Sequence, residues 1–296
     1  MKMNKKIMSL VLSLGLVFGM GSAAFAETNP NVVNLLPYPN TQEFNQVVEY
    51  NPAQANSVTL RVQGADANYQ PLNFNQDDAL GVEFDGGDDL VAGTTTSVLE
   101  NGTIFAKSIV DIPLGSTYGP KFVKATLGNY TPGSWTGMID LGVILNPASD
   151  VSANNVKAHF FNGAPSNSTK LATVNNLSVT QSLMPSTIKY ASAIDTAQAA
   201  INALGTANTE EYSISYDNNG TINAYVSSIT IAGNIYEKQG FSQGWQYRVY
   251  DSHGNALKNC DKAGAEVFPV TNGVHVVWAY GSWGILGNTI DTALLQ

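Results

Sequence analysis

Three sets of residues in this chain of 296 have the types and spacing to do chemistry. Between Gly240 and Trp283 stand three of its four tryptophans and two of its three histidines. There Trp245, Tyr247, Trp278, Tyr280 and Trp283 are candidates for a platform under a sugar or another flat ligand, because aromatic rings offer large contact area at small entropic cost. His253, in a turn, is the polar candidate beside them. The second set is acidic: Asp77, Asp78, Glu83, Asp85, Asp88 and Asp89, with Gly86-Gly87 in their midst. Ca²⁺ takes clustered oxygens on a glycine-bent loop, and Asp85, Asp88 and Asp89 are the candidate ligands. The spacing is not that of an EF-hand, so a solvated acidic hairpin is the competing assignment. The third set is imidazole. His275, on a strand, has suitable chemistry for a metal, but neither it nor His159 nor His253 has a second ligand at metal spacing.

Patterns that mark catalysis are missing. The sequence contains no G-x-S-x-G, no H-E-x-x-H, no P-loop, no G-x-G-x-x-G after a strand and no C-x-x-C-H. One cysteine, Cys260, excludes an internal disulfide framework, and with three histidines it leaves little material for nucleophilic catalysis. Any two carboxylates can meet in a fold to make a glycosidase pair, yet no stretch argues for one. The expectation is a non-enzyme with Ca²⁺ as its one candidate cofactor. Cys260, in a polar loop, reads either as a thiol for pairing between molecules or as a solvated residue.

Composition narrows the partners. The chain opens with Lys2, Lys5 and Lys6, an apolar run from Ile7 to Met20 and Ala24-Phe25-Ala26, which is the layout of a secretory leader over residues 1–26. The run is too short for a membrane span. Removing its three lysines takes the formal charge from −9 to −12. An acidic chain with two arginines, Arg61 and Arg248, is a poor partner for nucleic acid or anionic lipid. Charged residues make up only 12%, a level that suits an exported β-rich protein.

These side chains need elements to hold them. Residues 27–52 carry Pro30, Pro37, Pro39 and Pro52 and read as an extended lead-in. Seven short runs bounded by turn residues follow, at 57–62, 79–84, 103–112, 121–127, 137–145, 156–161 and 171–180. Their breakers include Gly86-Gly87, Asn101-Gly102 and Asn162-Gly163, and no helical period appears between Val58 and Val179. The spacing predicts an immunoglobulin-like or jelly-roll β-sandwich over 53–182. After Met184-Pro185-Ser186 the register changes. Tyr190 to Leu204 places Ala193, Ala197, Ala200, Ile201 and Leu204 on one stripe, and Gly205 follows as a C-cap. Strands return at 212–216, 221–231, 245–250 and 274–280. On the last two, Trp245, Tyr247 and Val249 share one face and Val274, Val276, Trp278 and Tyr280 another. That alternation gives Trp245 and Trp278 a competing role as core against the helix, and leaves Trp283, among glycines, as the exposed candidate.

The last third resembles the transcobalamin C-terminal-like family over about residues 188–283. The matching pieces are Ile194-Asp195-Thr196-Ala197, Tyr225-Val226-Ser227-Ser228-Ile229 before Gly233, Gly244-Trp245-Gln246-Tyr247-Arg248-Val249, and Val276-Val277-Trp278-Ala279-Tyr280. The turn at Asp251–Asn255 and Asn272-Gly273 depart from the family in detail. The resemblance implies a β-grasp module over 186–296 and hence a mainly β chain with an α+β end. In cobalamin carriers this module caps the corrin ring against a large α-helical domain, and nothing between Glu27 and Val179 reads as one, so the cobalamin site is not carried over with the fold. The expected function is a secreted or cell-surface protein holding a small or saccharide ligand, a corrinoid among the candidates. The alternative is a structural subunit or adhesin, bound to copies of itself or to other surface proteins, with residues 27–52 donated as a strand.

Overall fold

The computed structural model describes residues 31–38, 44–87, 89–134, 136–183, 188–216, 222–240 and 242–296. Residues 1–30, where the leader is expected, residues 39–43 of the lead-in and Asp88 fall outside them.

Strands alternate apolar and polar residues from Val32 to Asn146, and the alternation closes a two-sheet sandwich. One sheet runs β1 (Asn34–Pro37), β3 (Asn56–Ala65), β8 (Thr103–Ile112), β6 (Val91–Ala92), with β4 (Pro71–Leu72) on β3 and β7 (Thr96–Glu100) on β8. The other runs β2 (Phe44–Glu49), β10 (Met138–Asn146), β9 (Gly119–Leu127), β5 (Val82–Asp85). Inward positions of both sheets, among them Leu60, Val62, Val110, Val123, Leu141 and Val143, form one buried core. Asn101 and Gly102 both take positive φ, 53° and 81°, and close the β7–β8 hairpin, as the Asn-Gly pair dictates.

Three expectations are corrected here. The lead-in is not a free donor strand: β1 pairs with β3 and β2 with β10 of the same chain, so residues 34–37 and 44–49 already complete their own sheets. The run at 79–84 begins in a helix, since α1 (Gln76–Leu80) precedes β5. Five residues are too few to show a period, and the signal was instead the capping box of Asn75 with Asp78. The largest correction concerns the runs at 156–161 and 171–180. They become the hairpin β11 (Ala153–Asn162) and β12 (Lys170–Val179), which leaves the sandwich and pairs with β17 (His275–Gly281). The division of the chain therefore lies near Pro147–Ser152 and not at 182–186. Alternation says which side of a strand is buried but not which strand it pairs with, and this partner is more than a hundred residues away.

The third sheet runs β12, β11, β17, β16 (Gly244–Tyr250), with β11 and β17 parallel in the centre and both outer pairs antiparallel. A parallel central pair needs a crossover. The chain supplies it through α2 (Ala193–Leu204) and the antiparallel sheet β13 (Thr209–Tyr216), β14 (Ile222–Ile231), β15 (Asn234–Glu237). A hairpin, a crossing helix and a last strand returning parallel beside the first make a β-grasp. The helix is shorter at its start than the spacing implied, since Ser192 caps it, while Gly205 ends it at φ 93° as expected. Its buried stripe Ala193, Ala197, Ala200 and Ile201 packs with Phe160, Trp245, Val276 and Trp278 in one core. The opposite face of the sheet carries Phe161, Tyr250, Val277 and Ala279, covered by Leu286, Leu294 and Leu295 of the C-terminal segment.

The two units are stitched together by side chains. Asp89 of the β5–β6 loop receives Lys258 Nζ at 3.2 Å and the Asn259 amide at 3.2 Å. Lys262 approaches Asp140 at 3.8 Å, and Pro269 lies against Gly119, where any Cβ would collide with its ring. Tyr118 and Phe122 of the sandwich pack onto the β-grasp core.

Candidate functional site

The aromatic set divides once its surroundings are seen. Trp245, Trp278 and Tyr280 are buried, each 6% exposed or less. Trp245 meets Phe160, Tyr236 and Tyr280 with ring centroids 5.6–6.1 Å apart, and Tyr247 meets Trp278 at 5.8 Å. The polar atoms of Trp245, Tyr280 and Tyr247 are spent on backbone, whereas the buried Trp278 Nε1 has no hydrogen-bond partner among the described residues. Trp245 Nε1 donates to Tyr236 O at 2.9 Å, the Tyr280 hydroxyl to Glu237 O at 2.6 Å and the Tyr247 hydroxyl to Ala263 O at 2.6 Å. Burial pushes the Tyr247 phenol well above its ordinary pKa. Trp245, Tyr247 and Tyr280 are therefore not faces offered to a ligand, because each occupies an inward position of β16 or β17. They fix β15 and the loop after β16 from beneath.

Trp283 is different. The residue is 57% exposed, on a loop held on both sides by one side chain. Gln246 Nε2 donates to Ser282 O at 2.6 Å, and Gln246 Oε1 accepts from Gly284 N at 2.7 Å. Beside it, β15 runs into Lys238, and three successive backbone groups are anchored: Tyr236 O by Trp245, Glu237 O by Tyr280, and Lys238 N by Ser227 O at 2.8 Å. Gly244 separates the two pieces. A Cβ there would stand 3.5 Å from Lys238 Cγ and 3.9 Å from Trp283 Cζ2, so both side chains border one gap. Past Lys238 lies an open hollow of about 360 Å³ lined by Tyr225, Ser227, Glu237, Lys238 and Gly240. The Lys238 ammonium sits 3.8 Å above the Tyr225 ring, a cation–π contact that sets its position. Tyr225, Glu237 and Lys238 were absent from the sequence-derived site. Nothing local marks them, since only folding brings β14 and β15 beside the end of β17.

The other candidates fall elsewhere. His253 is exposed in the turn that Asp251 closes by accepting from His253 N and Asn255 N. Gly244 pairs with Gly281 and Tyr250 with His275, so His253 and Trp283 follow opposite ends of the strand pair, about 20 Å apart at the rise of a β-strand. Asp85 accepts from Gly87 N at 2.8 Å, and Asp89 is committed to Lys258 and Asn259. Among the described residues no group of three or more His, Cys, Asp or Glu gathers to hold a metal. Cys260 is 2% exposed, with Arg248 Nη1 at 3.7 Å from its sulfur. It is a core residue and neither a surface thiol nor a solvated one.

One pairing of histidines and one buried carboxyl went unread in the sequence. His159 Nε2 lies 3.0 Å from His275 Nδ1, and His159 Nδ1 lies 3.2 Å from Thr173 Oγ1. Glu266, 7% exposed, has its carboxyl pushed up to about 7 by burial, and its Oε2 has no hydrogen-bond partner among the described residues. With the folded pKa raised, the unfolded chain releases this proton at lower pH than the folded one, so stability is lost as pH rises from about 4.5 to 7. Glu266→Gln is expected to gain about 1–2 kcal/mol in urea melts at pH 8 and nothing at pH 4, the unpaired amide giving back part of the benefit. Equal effects at both pH values would show that ionisation is not the cause.

By strand pairing the chain is a mainly β protein, a sandwich followed by a β-grasp unit. Neither a protein-family model nor a curated protein matches it. Among solved structures it is similar to surface layer protein SbsC, domains 6-7, at 14% identity over 84% of this chain and 98% of that one, with a TM-score of 0.25. It is also similar to mouse clustered PcdhgC3 EC1-3, at 9% identity over 85% and 68% of the chains, with a TM-score of 0.22. At these scores the superpositions equate no individual domain, and the fold rests on its own hydrogen bonding. Among the described residues no helix is long and apolar enough to cross a membrane.

Proposed function

We propose that this is an exported, non-catalytic binding protein that holds a small or saccharide ligand at the Trp283 edge of its β-grasp unit. The observation that carries the proposal is a tryptophan 57% exposed on a loop pinned from both sides by Gln246. A large aromatic face kept in water by a stiff support gains contact area on binding and loses little freedom, which is the economy of a ligand platform. The leader-like residues 1–26 support export. The ordered resemblance to transcobalamin C-terminal-like modules, together with the β-grasp strand order, supports binding as the task and keeps a corrinoid in the panel.

Trp283→Ala is expected to weaken binding about 10–100-fold, the usual cost of removing an aromatic anchor, with the thermal midpoint nearly unchanged. The test is titration calorimetry against glycans, cobalamin and corrinoids. Affinity untouched by the substitution, or no binding across the panel, would sink the proposal.

One observation favours the structural alternative as a second reading. β12, ten residues long, is the edge strand of the β-grasp sheet, and such an edge can take an added strand. Concentration-dependent oligomers that vanish when a proline replaces an outward-facing residue of β12 would support it.

A further inference from the structure

We propose that the hollow beside Trp283 is a pyranoside site and that its ligand is an uncharged glycan. This rests on the binding function proposed above and names the ligand class.

The surroundings decide the class. Trp283, beside the hollow and across Gly244 from Lys238, offers a flat apolar face, suited to the C–H face of a pyranose ring. The wall of the hollow itself carries an ammonium (Lys238), a carboxylate (Glu237) and a hydroxyl (Ser227). Lysine only donates, an ionised carboxylate only accepts and a hydroxyl does both. A sugar hydroxyl also does both, so a run of hydroxyls matches such a wall. The opposite charges of Glu237 and Lys238 stand on neighbouring residues, so an anionic or a cationic ligand would meet an attraction and a repulsion together. Size points the same way. About 360 Å³ lies at the small end of small-molecule pockets, enough for a pyranose ring and too little to enclose a corrin.

The site is also preorganised. Tyr225 sets the position of the ammonium, 3.8 Å above its ring. Trp245, Tyr280 and Ser227 anchor three successive backbone groups from Tyr236 to Lys238. Gln246 anchors the chain on both sides of Trp283. Gly244 stands between the two halves: a Cβ there would lie 3.5 Å from Lys238 Cγ and 3.9 Å from Trp283 Cζ2, so the indole and the lysine stem are neighbours across it.

The experiment is calorimetry on the full secreted chain with short neutral gluco-, manno- and galacto-oligosaccharides, with oligogalacturonate as the charged counterpart and with cobalamin. Each is run on the parent protein and on Trp283→Ala, Lys238→Ala, Glu237→Gln and Ser227→Ala, with thermal melts to confirm folding. The expected result is that a neutral set binds, and that Lys238→Ala and Glu237→Gln each weaken it about tenfold, in line with a lost hydrogen bond to a charged group. The tryptophan emission shift on binding should be absent in Trp283→Phe, whose remaining described tryptophans are buried. Three outcomes overturn the inference while leaving the Trp283 edge as a binding site. These are oligogalacturonate binding more tightly than its neutral counterparts, cobalamin alone binding with dependence on Trp283, and neutral binding indifferent to both Lys238→Ala and Glu237→Gln. Neutral binding unaffected by Trp283→Ala removes the proposed function as well, and no binding by any neutral set overturns the inference outright.

Discussion

Asp195→Ala is expected to cost about 4 kcal/mol of stability, because it strands several buried donors at once. Asp195 is 2% exposed at the first turn of α2 and receives five hydrogen bonds. Its Oδ2 accepts from Ser192 N at 2.9 Å and Ser192 Oγ at 2.7 Å, and its Oδ1 from Ser182 N, Ser182 Oγ and Leu183 N at 3.0–3.1 Å. One carboxylate thus caps the helix and ties down the chain that leaves β12. The negative charge at a helix N-terminus adds to the gain. Asp195→Asn keeps one acceptor oxygen but turns an N–H₂ toward donors of Ser192 or Ser182, so it should cost roughly half as much. Urea unfolding at 25 °C separates the variants. A loss below about 1 kcal/mol for alanine would mean that water replaces these contacts freely.

The second large effect is on acid stability. His159 is fully buried, and burial first, then the neighbouring charge of His275, lowers its pKa to about 3. His275 is lowered as well, again chiefly by burial. Neutral, the trio has two satisfying proton arrangements: Thr173 donates to His159 and His159 to His275, or the whole relay runs in reverse. With both rings charged, two N–H groups face each other across 3.0 Å. The charges around the pair come from Lys157 on β11, Lys170 on β12 and Asp251 after β16, and the two lysines oppose protonation. Because the folded pKa is depressed, the stabilising contribution is complete above the unfolded value near 6.5 and is lost as pH falls toward 3. At pH 4 the loss relative to pH 7.5 should reach about 3 kcal/mol. His159→Gln, which cannot be charged, should have a much flatter acid limb between pH 6.5 and 4 even though it is less stable at neutral pH. Parallel limbs for parent and variant would remove the histidine pair as the cause.

Much of this architecture could be read in the residues. Alternation placed most sandwich strands, Asn101-Gly102 its hairpin turn, and the alanine stripe with Gly205 the helix and its end. These are local signals, set by backbone sterics and by the side on which a strand or helix is apolar. The site was legible only in part. Trp283 stood out because glycines surround it, whereas Trp245 and Tyr280 belong to the same aromatic run and turned out to be its support. A capping box at Ser192-x-x-Asp195 was a readable sign of the Asp195 hub.

Tertiary structure alone decided the rest. β11 and β12 look like further sandwich strands, and only the parallel pairing of Lys157–Asn162 with His275–Tyr280 takes them into the β-grasp. The same pairing buries His159 against His275, the fold brings Lys238 beside Trp283, and docking of the two units turns Asp89 from a candidate calcium ligand into an ion-pair partner of Lys258. The physical reason is common to all of these. A residue's own neighbours determine whether its side chain points in or out, but the identity of what it meets depends on contacts between distant segments, whose energies are settled only when the whole core closes.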